Sequence, residues 1–219
     1  PWAARVLLVA GLCALMGCAD PPATQPPPKP PMTFKPREMA DALHAVIAAD
    51  RTAYTQMVVQ RLHQEMKLIA CSENWEAENG LPVPAQLLSA SSIAVARQGV
   101  EFSYKLRSLW PINPKNAPET VLERQGLQFV AKNPGTNFYS EETLGGRHYL
   151  TSVYPDRAIA PTCVDCHNRH AKSPRQDFKE GDMLGGLVVL NDTKLAERLR
   201  FIQKSVGAIL SPFEAWMCL

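Results

Sequence analysis

Cys163-Val164-Asp165-Cys166-His167 is the stretch from which the rest of the chain is read. Its pattern, C-x-x-C-H, is the attachment signature of a c-type haem. Two thiols three positions apart can add across the two vinyl groups of a porphyrin and hold it by thioether bonds. The residue directly after the second thiol lies close under the iron and supplies the proximal imidazole. On this reading Cys163 and Cys166 are the covalent tethers of one haem c, and His167 is the proximal iron ligand.

Three other chemistries use the same residue types. A zinc site would take Cys163, Cys166, His167 and His170, but such sites draw two ligand pairs from segments a dozen or more residues apart, and no second pair exists here. A redox dithiol wants a strand and then a helix opening at the first Cys. Pro155, Pro161 and the polar Asn168-Arg169-His170 instead place the motif in a loop. A disulfide across three positions would be strained and would leave His167 idle.

Haem ligation of this kind takes place after export, so the N-terminus is an independent check. Arg5 precedes the apolar run Val6 to Met16, too short to span a bilayer and suited to a signal-peptide core. Leu15-Met16-Gly17-Cys18 resembles a lipobox, with Cys18 the lipidated first residue after cleavage of residues 1–17. Pro1 in place of Met reads as a start inside a longer precursor. A lipid on Cys18 anchors without spanning. The expected location is the bacterial cell envelope, facing the periplasm, with Ala19 pointing to the outer membrane. Residues 18–36 are a linker, with eight prolines between Asp20 and Pro36, which favours extended polyproline geometry. Residues 37–219 then form one domain large enough for its own core. The formal charge is +2 and no Lys/Arg cluster alternates with aromatics, so nucleic acid is not implied.

From residue 36 to about 69, apolar positions recur at three- and four-residue steps, leaving Asp50, Arg51, Gln60 and Lys67 mostly elsewhere. That helix is long for a globular domain. Core packing is the expected use of its stripe, and a homodimer seam is the alternative. Gly80-Leu81-Pro82-Val83-Pro84 breaks it, and a second helix over 84–98 ends at Gly99. Phe102, Tyr104 and Leu106 alternate as in a strand, and 119–132 reads as helix. Residues 137–141 and 147–154 look like strands joined in a hairpin through Thr143-Leu144-Gly145-Gly146. The haem loop follows, then an apolar strand over 183–190 and a last amphipathic helix over 193–208. Helices flanking a small antiparallel sheet give the α+β class.

Three segments then carry a more specific likeness. They are Leu106 to Glu119, with Asn113-Pro114-Lys115-Asn116-Ala117-Pro118 inside it; the Cys163–His167 motif with Asn168 and His170; and Ser173-Pro174-Arg175-Gln176-Asp177-Phe178-Lys179-Glu180-Gly181-Asp182. In order and spacing they resemble the Tll-like haem domain family, bacterial c-type haem proteins with a PAS-like domain. The resemblance covers roughly residues 54–190. It implies a PAS-like antiparallel sheet flanked by helices with the haem held against it, and a role in electron transfer or in redox and ligand sensing. It also implies a second axial ligand from a Cys of the N-terminal helical region, the position matched here by Cys71.

The residues themselves leave the sixth ligand open among Cys71, His63, another residue and an open position. His63 and Cys71 would lie about 12 Å apart along a continuous helix, so both reach one iron only if that helix breaks. Met66 belongs to the apolar stripe, His170 is too close to His167 to reach the opposite haem face, and His148 stands on a strand. A disulfide between Cys71 and Cys218 would exclude Cys71. A one-electron carrier with an unidentified redox partner is the leading function, and a haem-based gas or redox sensor is the alternative. No distal acid–base pair suggests a peroxidase-like catalyst, so a carrier or sensor is expected rather than an enzyme.

Overall fold

The computed structural model describes residues 35–100 and 102–194. The signal-peptide, lipobox and linker readings, the helix expected beyond Lys194, and Cys218 lie outside these residues.

Helix α1, Pro36–Ala53, opens with Pro at its first position, where the missing N–H costs nothing. Glu38 accepts from the Lys35 amide at 3.2 Å to complete the N-terminus. The helix continues without a gap as a π-helical segment, Tyr54–Glu65. At the changeover, Thr52 and Thr55 donate to the carbonyls of Ala48 and Arg51 (2.7 and 2.8 Å), back-bonding that competes with the α-helical ladder. Met66 N–H then reaches back to Arg61 and Leu68 N–H to Leu62, while Lys67 turns to φ +51°. The helical run therefore ends at Glu65, ahead of the expected 69 and of the Gly80 to Pro84 break. Cys71–Ser72 (β1) and Leu81–Pro82 (β2) form a small parallel pair beyond it.

Helix α2, Pro84–Ala96, is followed by Gly99 at φ +68°. Strand β3, Phe102–Arg107, leads into a 3₁₀ turn at Pro114–Asn116 and helix α3, Val121–Lys132, whose Thr120 side chain accepts from the Glu123 amide. Strands β4, Phe138–Leu144, and β5, Arg147–Arg157, make the expected hairpin, each ending three residues later than anticipated. Its two-residue turn is Gly145-Gly146 at φ +55° and +77°, values only glycine adopts freely. Helix α4, Pro161–Arg169, and strand β6, Met183–Asp192, complete the described chain.

The four long strands form one antiparallel sheet in the order β3-β6-β5-β4. Alternation along β5 and β6 divides two cores. Tyr154, Leu187 and Val189 face α1 and α2, packing on Ala40 and Leu88. Val153 and Val188 face α3, packing on Leu127 and Val130. Asp41 accepts from the hydroxyls of Tyr139 and Tyr154 (2.6 and 2.7 Å), and Asn191 donates to the Pro36 carbonyl, which locks α1 to the sheet. The α+β class with helices flanking an antiparallel sheet is as expected. The long helix differs from expectation, because Val46, Met57 and Met66 are 62%, 70% and 50% exposed rather than core. Among the described residues no helix is long and apolar enough to cross a membrane.

Candidate functional site

The motif stands on a helix, not in the loop expected from its prolines. Pro161 occupies the first position of α4 and so starts the helix. Pro155 sits inside β5, one residue before the register shift at Asp156/Arg157 that turns the chain toward α4. Helical spacing then puts Cys163, Cys166 and His167 on one side of α4 (positions i, i+3 and i+4). All three line a cavity of about 630 Å³, within the usual range for a bound small molecule.

Several contacts fix α4. Cys163 is buried in a small core with Ala160, Phe178 and Leu184. Asn168 and Phe178 exchange two hydrogen bonds, each 2.9 Å, through the Asn168 amide group and the Phe178 backbone. The Phe178 and His167 rings meet T-shaped with centroids 5.5 Å apart, and the Arg175 guanidinium lies 4.3 Å from the Phe178 ring centroid. From the π-helical segment, Gln60 accepts from the Thr162 amide at 3.3 Å and Gln64 donates to Asp165 at 2.9 Å.

The same cavity is lined by two of the residues named as sixth-ligand candidates. Because the helix breaks at Glu65, both His63 and Cys71 line the cavity. His63 Nδ1 lies 3.1 Å from the Ile69 carbonyl, and the Cys71 thiol donates to the Pro82 carbonyl at 3.6 Å. His148 is exposed on the hairpin beside Thr143, and Met66 is exposed, so neither joins the site. His170 lines the cavity with Nε2 3.6 Å from Glu73. Arg107, 2% exposed, also reaches the wall, but its guanidinium is held by Glu119, Glu123 and the Lys115 carbonyl.

Sequence reasoning missed Arg51 and Asp156. The pattern assigned Arg51 to the solvent face of the long helix, yet it pairs with Asp156 at 3.1 Å and both line the cavity. Their pairing joins the long helix to the end of β5 across 105 positions of sequence, and composition carries no signal for it. Gln60, also assigned to the outer face, turns to α4.

Electrostatics separates the competing chemistries. Burial, followed by the charges of Arg51 and His170, lowers the His167 imidazolium to about 4, leaving a neutral imidazole able to donate to a metal. Burial, then the neighbouring Cys163 and Glu73 charges, pushes the Cys166 thiol up. Burial and the Cys166 charge carry Cys71 to about 11. A redox dithiol works with lowered thiols, the opposite direction, whereas the objection from a loop falls because the motif stands on a helix that follows a strand. Among the described residues no three His, Cys, Asp or Glu side chains converge on a cation position. Cys71, Cys163 and Cys166 are free thiols, and the buried His167 Nδ1 has no partner. Two free thiols, one neutral imidazole and a roomy half-apolar cavity fit a haem.

Comparison with known proteins gives three findings. A stretch of 116 residues is 24% identical to the cystathionine beta-lyase of Coxiella burnetii (strain RSA 493 / Nine Mile phase I), covering 52% of this chain and only 28% of that protein. A crystal structure of the cyanobacterial heme-protein Tll0287 aligns over 73% of this chain and 97% of its own, with 16% identity and a TM-score of 0.44. The model of the Tll0287-like family (Tll0287) matches residues 32–190, most of the domain and all of the site. The chain belongs to the Tll0287-like family.

Proposed function

We propose that this chain binds one haem c and serves as a one-electron carrier or redox-sensing module of the bacterial envelope. The observation that carries the reading is the shared face of α4, where two free thiols and a neutral imidazole meet one cavity. Cys163 and Cys166 would hold the porphyrin by thioethers, and His167 would present its Nε2 to the iron. The haem supplies a ferric/ferrous couple. The protein's part is to fix the imidazole through Phe178 and Asn168 and to complete the cavity wall with Cys71. Cys71 is the sixth-ligand candidate, supported by its place on that wall and its electrostatic coupling to Cys166, with His63 as the alternative. A thiol near 11 stays protonated without a metal, so ligation by Cys71 would release a proton and favour the ferric state.

Residues 1–17 as a lipoprotein signal peptide, lipidation at Cys18 and the linker over 18–36 complete the proposal, giving a lipid-anchored protein that faces the periplasm. Its partner is a redox protein rather than nucleic acid. A second reading, a haem sensor, is favoured by Gln60 and Gln64, which tie the motif helix directly to the long helical run.

The test is protein matured in a host able to ligate haem c. We expect a peptide spanning residues 163–167 with the mass of one added haem and a visible spectrum unchanged by carbon monoxide. Colourless protein with an unaltered peptide mass would end the haem reading. Ready binding of carbon monoxide would move the function to sensing. Cys71→Ala and His63→Ala, made separately, assign the ligand: the one that shifts the Soret band removes it.

A further inference from the structure

His167 lacks the contact that ordinarily orients a metal-bound histidine. A ligating imidazole almost always donates its second ring N–H to a carboxylate, a carbonyl or water, which fixes both the tautomer and the ring plane. Here Nδ1 is buried and finds no partner among the described residues. What the ring does meet is Phe178, 2% exposed, with the two planes at 82° and the centroids 5.5 Å apart. An imidazole without that bond is oriented by packing alone.

Phe178 is held in turn by the segment Ser173 to Asp182, whose charged residues have no other part in the site. The Arg175 guanidinium lies 4.3 Å from the Phe178 centroid and 5.3 Å from that of Trp110, a ring that lines the cavity. Trp110 and Phe178 meet at 76° with centroids 6.1 Å apart. Arg175 Nε donates to Asp177 at 2.6 Å and Nη2 donates to Asp182 at 3.2 Å, and the Ser173 hydroxyl donates to the Arg175 carbonyl at 2.6 Å. Asp182 also accepts from the Lys179 amide at 3.1 Å, closing the loop around Phe178. Asp177 is 80% exposed, and ion pairs so open to solvent add little to stability. The two carboxylates instead fix the plane of the guanidinium against the rings.

Resting on the haem reading above, we propose that Arg175, Trp110 and Phe178 form a cation–aromatic clamp that fixes the plane of the His167 ring, in place of the hydrogen bond Nδ1 does not make. Phe178 acts on the imidazole directly, and Arg175 acts through Phe178. Both are positioning residues. A carboxylate on Nδ1 would orient the ring and also raise its basicity toward the iron. A ring contact orients it and leaves its donor strength as it is.

The test takes the haem-loaded full chain, in its ferric form, and reads the proton NMR shifts of the haem methyl groups, whose spread reports the direction of the axial ring plane. Phe178→Leu keeps apolar bulk and removes the ring. Its methyl shifts should draw together and broaden as the imidazole samples several orientations, while the Soret band, set by the ligands, stays where it is. Arg175→Met should do the same to a smaller degree. Gly126→Ala loosens the fold at the α3 face of the sheet and should keep the parent's shifts, which separates orientation from general destabilisation. Unmoved shifts in haem-loaded Phe178→Leu overturn this proposal alone, as does an equal change in Gly126→Ala. If Phe178→Leu does not fold, Arg175→Met decides: a contracted spread supports the clamp and the parent's spread sinks it. A parent chain that carries no haem overturns the functional reading and this inference with it.

Discussion

His167 shows how one side chain links the site to the stability of the fold. In the chain without porphyrin its imidazolium is held at about 4, against the ordinary 6.5 of a histidine, first by burial and then by Arg51. Between those two values the unfolded state binds more protons than the folded one. Stability is therefore fully present above about 6.5 and declines as pH falls toward 4. The loss is on the order of 2 kcal/mol once solvent screening is allowed for. Urea titrations of haem-free protein at pH 7 and pH 4.5 measure it. His167→Gln should lose measurably less stability across that interval than the parent, because the remaining groups, the half-buried His44 included, titrate in both. An identical loss in the two proteins would mean that His167 reaches solvent freely.

Elements show where reading a sequence succeeds and where it fails. The hairpin was legible because Gly145-Gly146 can close a two-residue turn and the flanking residues alternate. Strand β6 was legible as an apolar run bounded by polar residues, and α2 by its Pro start and Gly stop. The motif helix was misread, since Pro161 breaks a helix from within yet opens one at its first position, and only three-dimensional context separates the two. The π-helical register was invisible because it arises from two threonine back-bonds and tertiary contacts rather than from residue preference. Close approach between elements is equally silent. Gly126 of α3 is an example: a Cβ there would come within 2.6 Å of Val153 Cγ2 and 2.8 Å of Phe138 Cδ1. Gly126→Ala gains about 1 kcal/mol of helix propensity. The overpacking of helix against sheet costs about 1–3 kcal/mol. We expect net destabilisation of about 1 kcal/mol or more, read as a lower denaturation midpoint with an unchanged slope. A stabilised variant would show that α3 can lift off the sheet without penalty.

At the scale of the whole molecule, α1 has one face to spare. Its inner side is committed to the sheet through Ala40, Leu43, Ile47 and the Asp41 hydroxyl bonds. Its outer side presents Met39, Ala42, Val46, Ala49 and Ala53 at steps of three and four residues, all exposed, with Val46 62% exposed. That spacing is the seam of a paired helix, and its small residues let two backbones come close. Core packing, the first expectation for the stripe, applies only to the inner half. The outer half suits the alternative, a homodimer formed through α1. Light scattering should then give twice the chain mass at micromolar concentration. Val46→Glu/Ala49→Glu places charges where a partner helix would exclude water, which a dimer tolerates poorly and a solvent-facing helix tolerates easily. The double variant should run as a monomer with the parent's far-ultraviolet circular dichroism and, in haem-loaded protein, its Soret band. Equal masses for parent and variant would leave α1 as an ordinary solvated face, and the sensor reading would lose the route by which a change at α4 passes through Gln60 and Gln64 to a neighbouring subunit.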